Sequence, residues 1–133
     1  KIGALGDYDT AVATLKYTDG RLAVIKNSRR ATYGYDQRIE VLGSKGLLQV
    51  QNMVENCIVK STEMGVESSK PEYFFLERYK SAYQNEWAAF VTAVKTKTPM
   101  PVSLSDGIAA LAIAEAAAAS AEMGSEVEIA NFL

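Results

Sequence analysis

An α+β domain, with antiparallel strands first and helices after, is the fold class this sequence predicts, and three observations predict it. Apolar and polar residues alternate with a period of two in short runs between Asp9 and Thr62. Turn signals punctuate those runs, Asp19-Gly20 and Gly43-Ser44-Lys45-Gly46 being the clearest. Beyond Phe75 the apolar spacing changes to three and four, which is the period of a helix. Strands followed by helices imply an open antiparallel β-sheet with two helices packed on one face.

Taken in order, Asp9 to Tyr17 sets Ala11, Ala13, Leu15 and Tyr17 on one face and Thr10, Val12, Thr14 and Lys16 on the other, a strand. Asp19-Gly20 is a hairpin signal in which both central positions take positive φ, and Arg21 to Asn27 runs back. Ser28 to Asp36 is a polar, tyrosine-bearing connection. Gln37 to Leu42 is a third strand, Leu47 to Asn52 a fourth and Asn56 to Thr62 a fifth. Gly65 to Pro71 reads as a loop. From Phe75 to Lys97 one helix places Tyr79, Tyr83, Trp87, Phe90, Val91 and Val94 on a single stripe. Thr98-Pro99-Met100-Pro101 ends it, because proline lacks the amide donor and disfavours helix before itself. Ser105 is the expected N-cap of an Ala-rich helix, with Asp106 in its first turn, Met123 near its end and Gly124 as its stop. Glu126 to Ala130 reads as a last short strand.

Composition removes several classes of function. The net charge of −2, from 14 basic and 16 acidic side chains, gives no footprint for nucleic acid and no polybasic patch for a membrane. The apolar stretch from Ile108 to Ala121 is interrupted by Glu115 and Ser120 and is mostly alanine, so no membrane span is expected. A single cysteine, Cys57, cannot form an internal disulfide; a cytoplasmic protein with Cys57 as a buried, inert thiol is expected. With no histidine, a Ser-His-Asp arrangement is impossible and a zinc site would need carboxylates alone, so no metal is expected. Neither a G-x-G-x-x-G fingerprint nor a Walker loop is present. The start at Lys1, without an initiator methionine, reads as the interior of a longer polypeptide. A mixed sheet face that includes Val12, Lys16, Ile25 and Gln49 is expected to be covered by a partner subunit.

One stretch stands apart, Asn27-Ser28-Arg29-Arg30-Ala31-Thr32-Tyr33-Gly34-Tyr35-Asp36-Gln37-Arg38. It leaves a strand end and concentrates hydrogen-bonding side chains, and Gly34 lets the backbone bend or approach a ligand. Tyrosine, asparagine and arginine suit a polyol, offering donors, acceptors and an apolar ring face. The alternative is a surface loop whose tyrosines pack on the sheet.

Residues 9 to 46 and 74 to 130 resemble the glucose-fructose oxidoreductase/inositol dehydrogenase/rhizopine catabolism family. The resemblance rests on Asp9-Thr10-Ala11-Val12, the Glu40-to-Gly46 run, and Asp106-Gly107 opening the Ala-rich helix. Tyr33-Gly34-Tyr35-Asp36-Gln37-Arg38 and Phe75-Leu76-Glu77-Arg78-Tyr79 are similar to the inositol 2-dehydrogenase branch. It implies that residues 1–133 are a dihydrodipicolinate-reductase-like C-terminal domain serving substrate binding and oligomerisation, tetrameric in the whole enzyme. It also implies a separate Rossmann domain, absent from this sequence, that binds NAD. The family's E-K-P lysine and D-x-x-x-H acid-base pair have no counterpart here, so no catalytic residue is expected in this chain. What carries over is Tyr35 at the wall of a cyclic polyol or sugar pocket, then Tyr33 and Arg29, and Arg78 at its rim. The implied reaction is oxidation of myo-inositol to a keto-inositol. Glucose or a disaccharide as substrate, or a non-catalytic binding or oligomerisation module, are the alternatives.

Overall fold

The structure is a computed structural model that describes residues 2–133. The chain divides into two compact units, the first ending at Gln84 and the second spanning Asn85–Leu133. The α+β class holds, with antiparallel strands preceding helices.

In the first unit β1 (Thr10–Lys16) pairs with β2 (Leu22–Ser28), β3 (Ile39–Gly43) with β4 (Gly46–Val50), and β5 (Val59–Thr62) with β6 (Gly65–Ser68), all antiparallel. Backbone hydrogen bonds close these strands two by two as ribbons, because every turn is short enough to pair each strand with its successor. In the first ribbon Ala13 faces Ile25 and Leu15 faces Ala23, so the expected alternation sets one apolar face. On the opposite face Val12, Leu22 and Val24 stay largely exposed among Thr14, Lys16 and Lys26.

Several expectations need correction. At the first turn only Gly20 has positive φ, at 88°. Gly20 N–H donates to the Tyr17 carbonyl and Tyr17 N–H to the Arg21 carbonyl, so one left-handed residue suffices. Asp19 acts through its carboxylate, which accepts from the Arg21 amide and guanidinium. Gly65 to Pro71 is not all loop, since Gly65–Ser68 is a strand; Val66 is its one apolar side chain and leaves almost no periodic signal. The expected 75–97 helix is two pieces, α1 (Phe75–Arg78) and α2 (Lys80–Thr96), separated at Tyr79, whose ψ of 10° leaves the helical range. Its end is set at Lys97, which takes φ 54° just ahead of Thr98-Pro99. Cys57 is exposed, not buried, because it lies in the connection before β5.

In the second unit α3 (Leu104–Met123) is capped by Ser103, not Ser105. Ser103 Oγ accepts from the Asp106 amide while the Asp106 carboxylate accepts from the Ser103 amide, a reciprocal box that Ser105, inside the helix, cannot make. Gly124 closes the helix in the left-handed region as expected, donating to the Ser120 carbonyl. Ala93, Ala112 and Ala116 are the buried apolar residues of this unit. By length and composition alone α3 is long and apolar enough to cross a membrane; alanine supplies that apolarity. The expected strand from Glu126 to Ala130 is instead a 3-10 turn at Ile129–Phe132 resting on α3, since no neighbouring strand offers it a ladder.

Candidate functional site

The polar stretch between β2 and β3 crosses the segment around Pro71 and Glu72 at contact distance. Gly34 is buried with φ 139°, and a Cβ there would lie 2.7 Å from the Pro71 carbonyl oxygen. Only glycine fits this crossing, for both conformational and steric reasons. Tyr35 N–H donates to the Glu72 carbonyl at 2.7 Å, and Glu72 N–H donates to the Met53 carbonyl at 3.1 Å. Three separate stretches of chain, around residues 35, 53 and 72, are thereby pinned together beside an isolated Val54–Pro71 bridge.

Tyr33 and Tyr35, on either side of the Gly34 bend, serve different surroundings. Tyr35 is half-buried and meets Tyr79 edge-to-face with ring centroids 5.4 Å apart; Tyr79 meets Tyr83 in the same way at 6.3 Å. The Arg78 guanidinium lies 5.7 Å from the Tyr79 ring centroid, and its Nη1 donates to Met53 Sδ at 3.3 Å. The neighbouring Tyr79 hydroxyl, followed by burial, holds the Tyr35 phenol above its ordinary range, with Arg78 opposing. At neutral pH Tyr35 is therefore a neutral hydroxyl that both donates and accepts.

Tyr33 donates its hydroxyl proton to Asp36, and its own pKa is raised chiefly by that bond. Asp36 also accepts from Arg38 Nε and Nη2 and from Asn52 Nδ2, each at 2.8 Å. Asn52 Oδ1 in turn accepts from the Gln37 amide at 2.7 Å, which ties the entry of β3 to the exit of β4. These bonds, Tyr33's first, lower the Asp36 carboxyl to about 2. A carboxylate so committed is a clasp and a poor proton acceptor. Tyr33, Asp36 and Arg38 line an open groove between the first two ribbons; Tyr35 and Arg78 do not.

The structure thus gathers Tyr35 and Arg78 around Tyr79, sends Tyr33 to the Asp36 clasp, and leaves Arg29 paired with Asp7 at 3.2 Å on the surface. Sequence reading missed Asn52, Glu72 and Tyr79 as neighbours. For Tyr79 the usable signal is its place beside Arg78 at the end of the Phe75–Tyr79 run.

The residues do not fit a dinucleotide. All strand pairs are antiparallel, so no strand–turn–helix cradle for a pyrophosphate forms among the described residues. The N-terminus of α3 is already filled by the Asp106 carboxylate, which would repel a phosphate. No group of three or more His, Cys, Asp or Glu side chains that could hold a metal occurs among the described residues.

Residues 2–129 match the family model described as "Oxidoreductase family, C-terminal alpha/beta domain". The chain is 47% identical over 129 residues to the myo-inositol 2-dehydrogenase of Thermotoga maritima, covering 97% of this chain and 39% of that protein. Among solved structures it superposes with a TM-score of 0.94 on a probable dehydrogenase from Thermotoga maritima, 46% identical, over 98% of this chain and 39% of the other. Scyllo-inositol dehydrogenase from Lactobacillus casei, with bound cofactor NAD(H) and scyllo-inositol, is 28% identical with a TM-score of 0.80, over 96% of this chain and 38% of that one. The chain therefore spans about 39% of the length of the curated relative it matches.

Proposed function

The chain belongs to the oxidoreductase family whose C-terminal alpha/beta domain it matches over residues 2–129, and from that membership we propose that it is the polyol-facing, oligomer-forming part of an NAD-dependent inositol 2-dehydrogenase. The observation that carries this reading is 47% identity to a myo-inositol 2-dehydrogenase along 97% of the chain. Supporting it, a neighbour with TM-score 0.80 is described with NAD(H) and scyllo-inositol bound.

Oxidation of a ring carbinol needs a hydride acceptor and a base for the hydroxyl proton. In this reading neither is supplied by Asp36, the carboxylate next to Tyr35 in sequence, which is spent on Tyr33, Arg38 and Asn52. The chain's own part is to hold and orient the ring: Tyr35 as a neutral hydroxyl with an apolar face, and Arg78 beside it as donor. Arg29 and Tyr33, committed to Asp7 and Asp36, belong to the frame around that wall. The exposed Val12, Leu22 and Val24 face is the surface through which the whole enzyme assembles as a tetramer, in the cytoplasm.

The test is turnover of a polyol panel by the intact protein with NAD. Oxidation of myo-inositol is expected, with Tyr35→Phe raising its KM several-fold. Turnover of glucose or a disaccharide in preference to every inositol refutes the substrate. An unchanged KM and kcat in Tyr35→Phe refutes the placement of Tyr35.

A further inference from the structure

β2 and β3 each have one paired and one unpaired edge, and both strands line the open groove between the first two ribbons. Register fixes which backbone groups lie on the unpaired edges. Tyr17 N–H donates to the Arg21 carbonyl and Arg29 N–H to that of Asp9, so the bonded pairs of the first ribbon fall at Ala23, Ile25 and Asn27 of β2. The amides and carbonyls of Leu22, Val24, Lys26 and Ser28 therefore point away from β1. On β3 the two-residue turn makes Gly43–Gly46 a bonded pair, followed by Val41 and Ile39. Glu40 and Leu42 thus turn their backbone groups away from β4. These six residues line the groove, and none of them pairs with a third strand among the described residues. A two-stranded ribbon is marginal by itself, and an open apolar edge invites pairing. Leu22, Val24 and Leu42 are exposed, and no proline blocks either strand.

We propose that this groove is a slot for one β-strand, supplied by a part of the same polypeptide outside residues 1–133, which joins the two ribbons into a continuous sheet. Size favours a single strand. The groove has a volume of about 1200 Å³. Six residues of strand, with a rise of about 3.3 Å, a lateral spacing of about 4.8 Å and a layer depth of about 10 Å, fill roughly 950 Å³. A helix of the same length, about 10 Å or more across, needs roughly 1600 Å³. The source of the strand follows from the longer relatives. The solved probable dehydrogenase from Thermotoga maritima superposes with a TM-score of 0.94 over 98% of this chain, which covers only 39% of that one. The ribbons thus keep their spacing in a much longer polypeptide, where the two edges have not closed on each other. A second copy of residues 1–133 offers only strands already zipped to their own hairpin partners. A strand seated here is paired on both sides, so it contains no proline in its interior.

The experiment is residue-resolved hydrogen exchange on the intact protein, at its working concentration and after dilution to the monomer. The outward amides of Val24, Lys26, Glu40 and Leu42 are compared with the inward amides of Ala23, Ile25 and Val41, which the hairpins already protect. With a strand in the slot, the outward amides exchange at least about 100-fold more slowly than in an unfolded chain and within about tenfold of the inward ones. A continuous run of amides outside residues 1–133 shares that protection, and all of it survives dilution. Fast exchange at the outward amides beside slow exchange at the inward ones overturns the proposal, because the edges are then open to water. Protection that disappears as the oligomer dissociates also overturns it, because the strand then comes from a second copy. The measurement uses no substrate, so its outcome is independent of the inositol reading.

Discussion

Gly34→Ala separates the architecture of the candidate site from ordinary turn strain. The new methyl carbon would lie 2.7 Å from the Pro71 carbonyl oxygen and 3.1 Å from that of Glu72, closer than packed atoms tolerate. The crossing must open by roughly 0.8 Å to reach an ordinary van der Waals contact of about 3.5 Å. That movement stretches the 2.7 Å bond from the Tyr35 amide to the Glu72 carbonyl. Gly65 is the control, because it shares φ 139° and has nothing within 4 Å of the same added atom. Gly65→Ala should therefore cost only the backbone strain, about 1–3 kcal/mol. Gly34→Ala should cost that strain and, in addition, about 1–3 kcal/mol for a buried donor deprived of its partner. Urea midpoints of the intact protein, measured on both variants and the parent, give the comparison. Equal shifts for the two substitutions, or a smaller one at position 34, would refute the close crossing and with it the support for Tyr35.

Three further outcomes follow from the geometry. Because the Asp36 carboxyl lies near 2, below its ordinary value of 3.8, its contribution is present at neutral pH and lost as pH falls through about 4 towards 2. Urea midpoints between pH 6 and pH 2.5 should show that loss in the parent, about 1–2 kcal/mol after solvent screening, and a flatter limb in Asp36→Asn. Ser103→Ala should destabilise α3 by about 1 kcal/mol by helix melting while Ser105→Ala changes little; the reverse order would remove Ser103 as the cap. Titration calorimetry of residues 1–133 with NAD should give no heat of binding at micromolar concentration, and a micromolar dissociation constant would contradict the reading of the chain as lacking a dinucleotide cradle.

Much of the local structure was legible. The β1–β2 ribbon follows from strict alternation on both sides of Asp19-Gly20, and the end of α3 follows from Gly124. Where prediction failed, the signal was weak or ambiguous. β6 has one apolar side chain, Val66, too few for a period to emerge. Ser103 and Ser105 are both fair caps by residue type; only the three-residue spacing from Ser103 to Asp106 distinguishes them, and that spacing was overlooked. Glu126 to Ala130 alternates as a strand does, but a strand needs a neighbour and none pairs with it among the described residues. For the candidate site, the sequence marked Tyr35 and Arg78 but not their meeting. That meeting depends on residues 34, 53 and 72 arriving from three stretches far apart in the chain, a long-range fact that no local pattern encodes.

The Asp36 clasp has a consequence for how such a protein can diversify. Its four bonds join Tyr33, Arg38 and Asn52 to one another and leave residues 72 and 78 out of the circuit. Holding the entrance of β3 is thus assigned to side chains other than those gathered around Tyr79. Side chains around Tyr79 can therefore be exchanged one at a time without loosening the doorframe, and tolerated substitutions should gather there while 36 stays fixed.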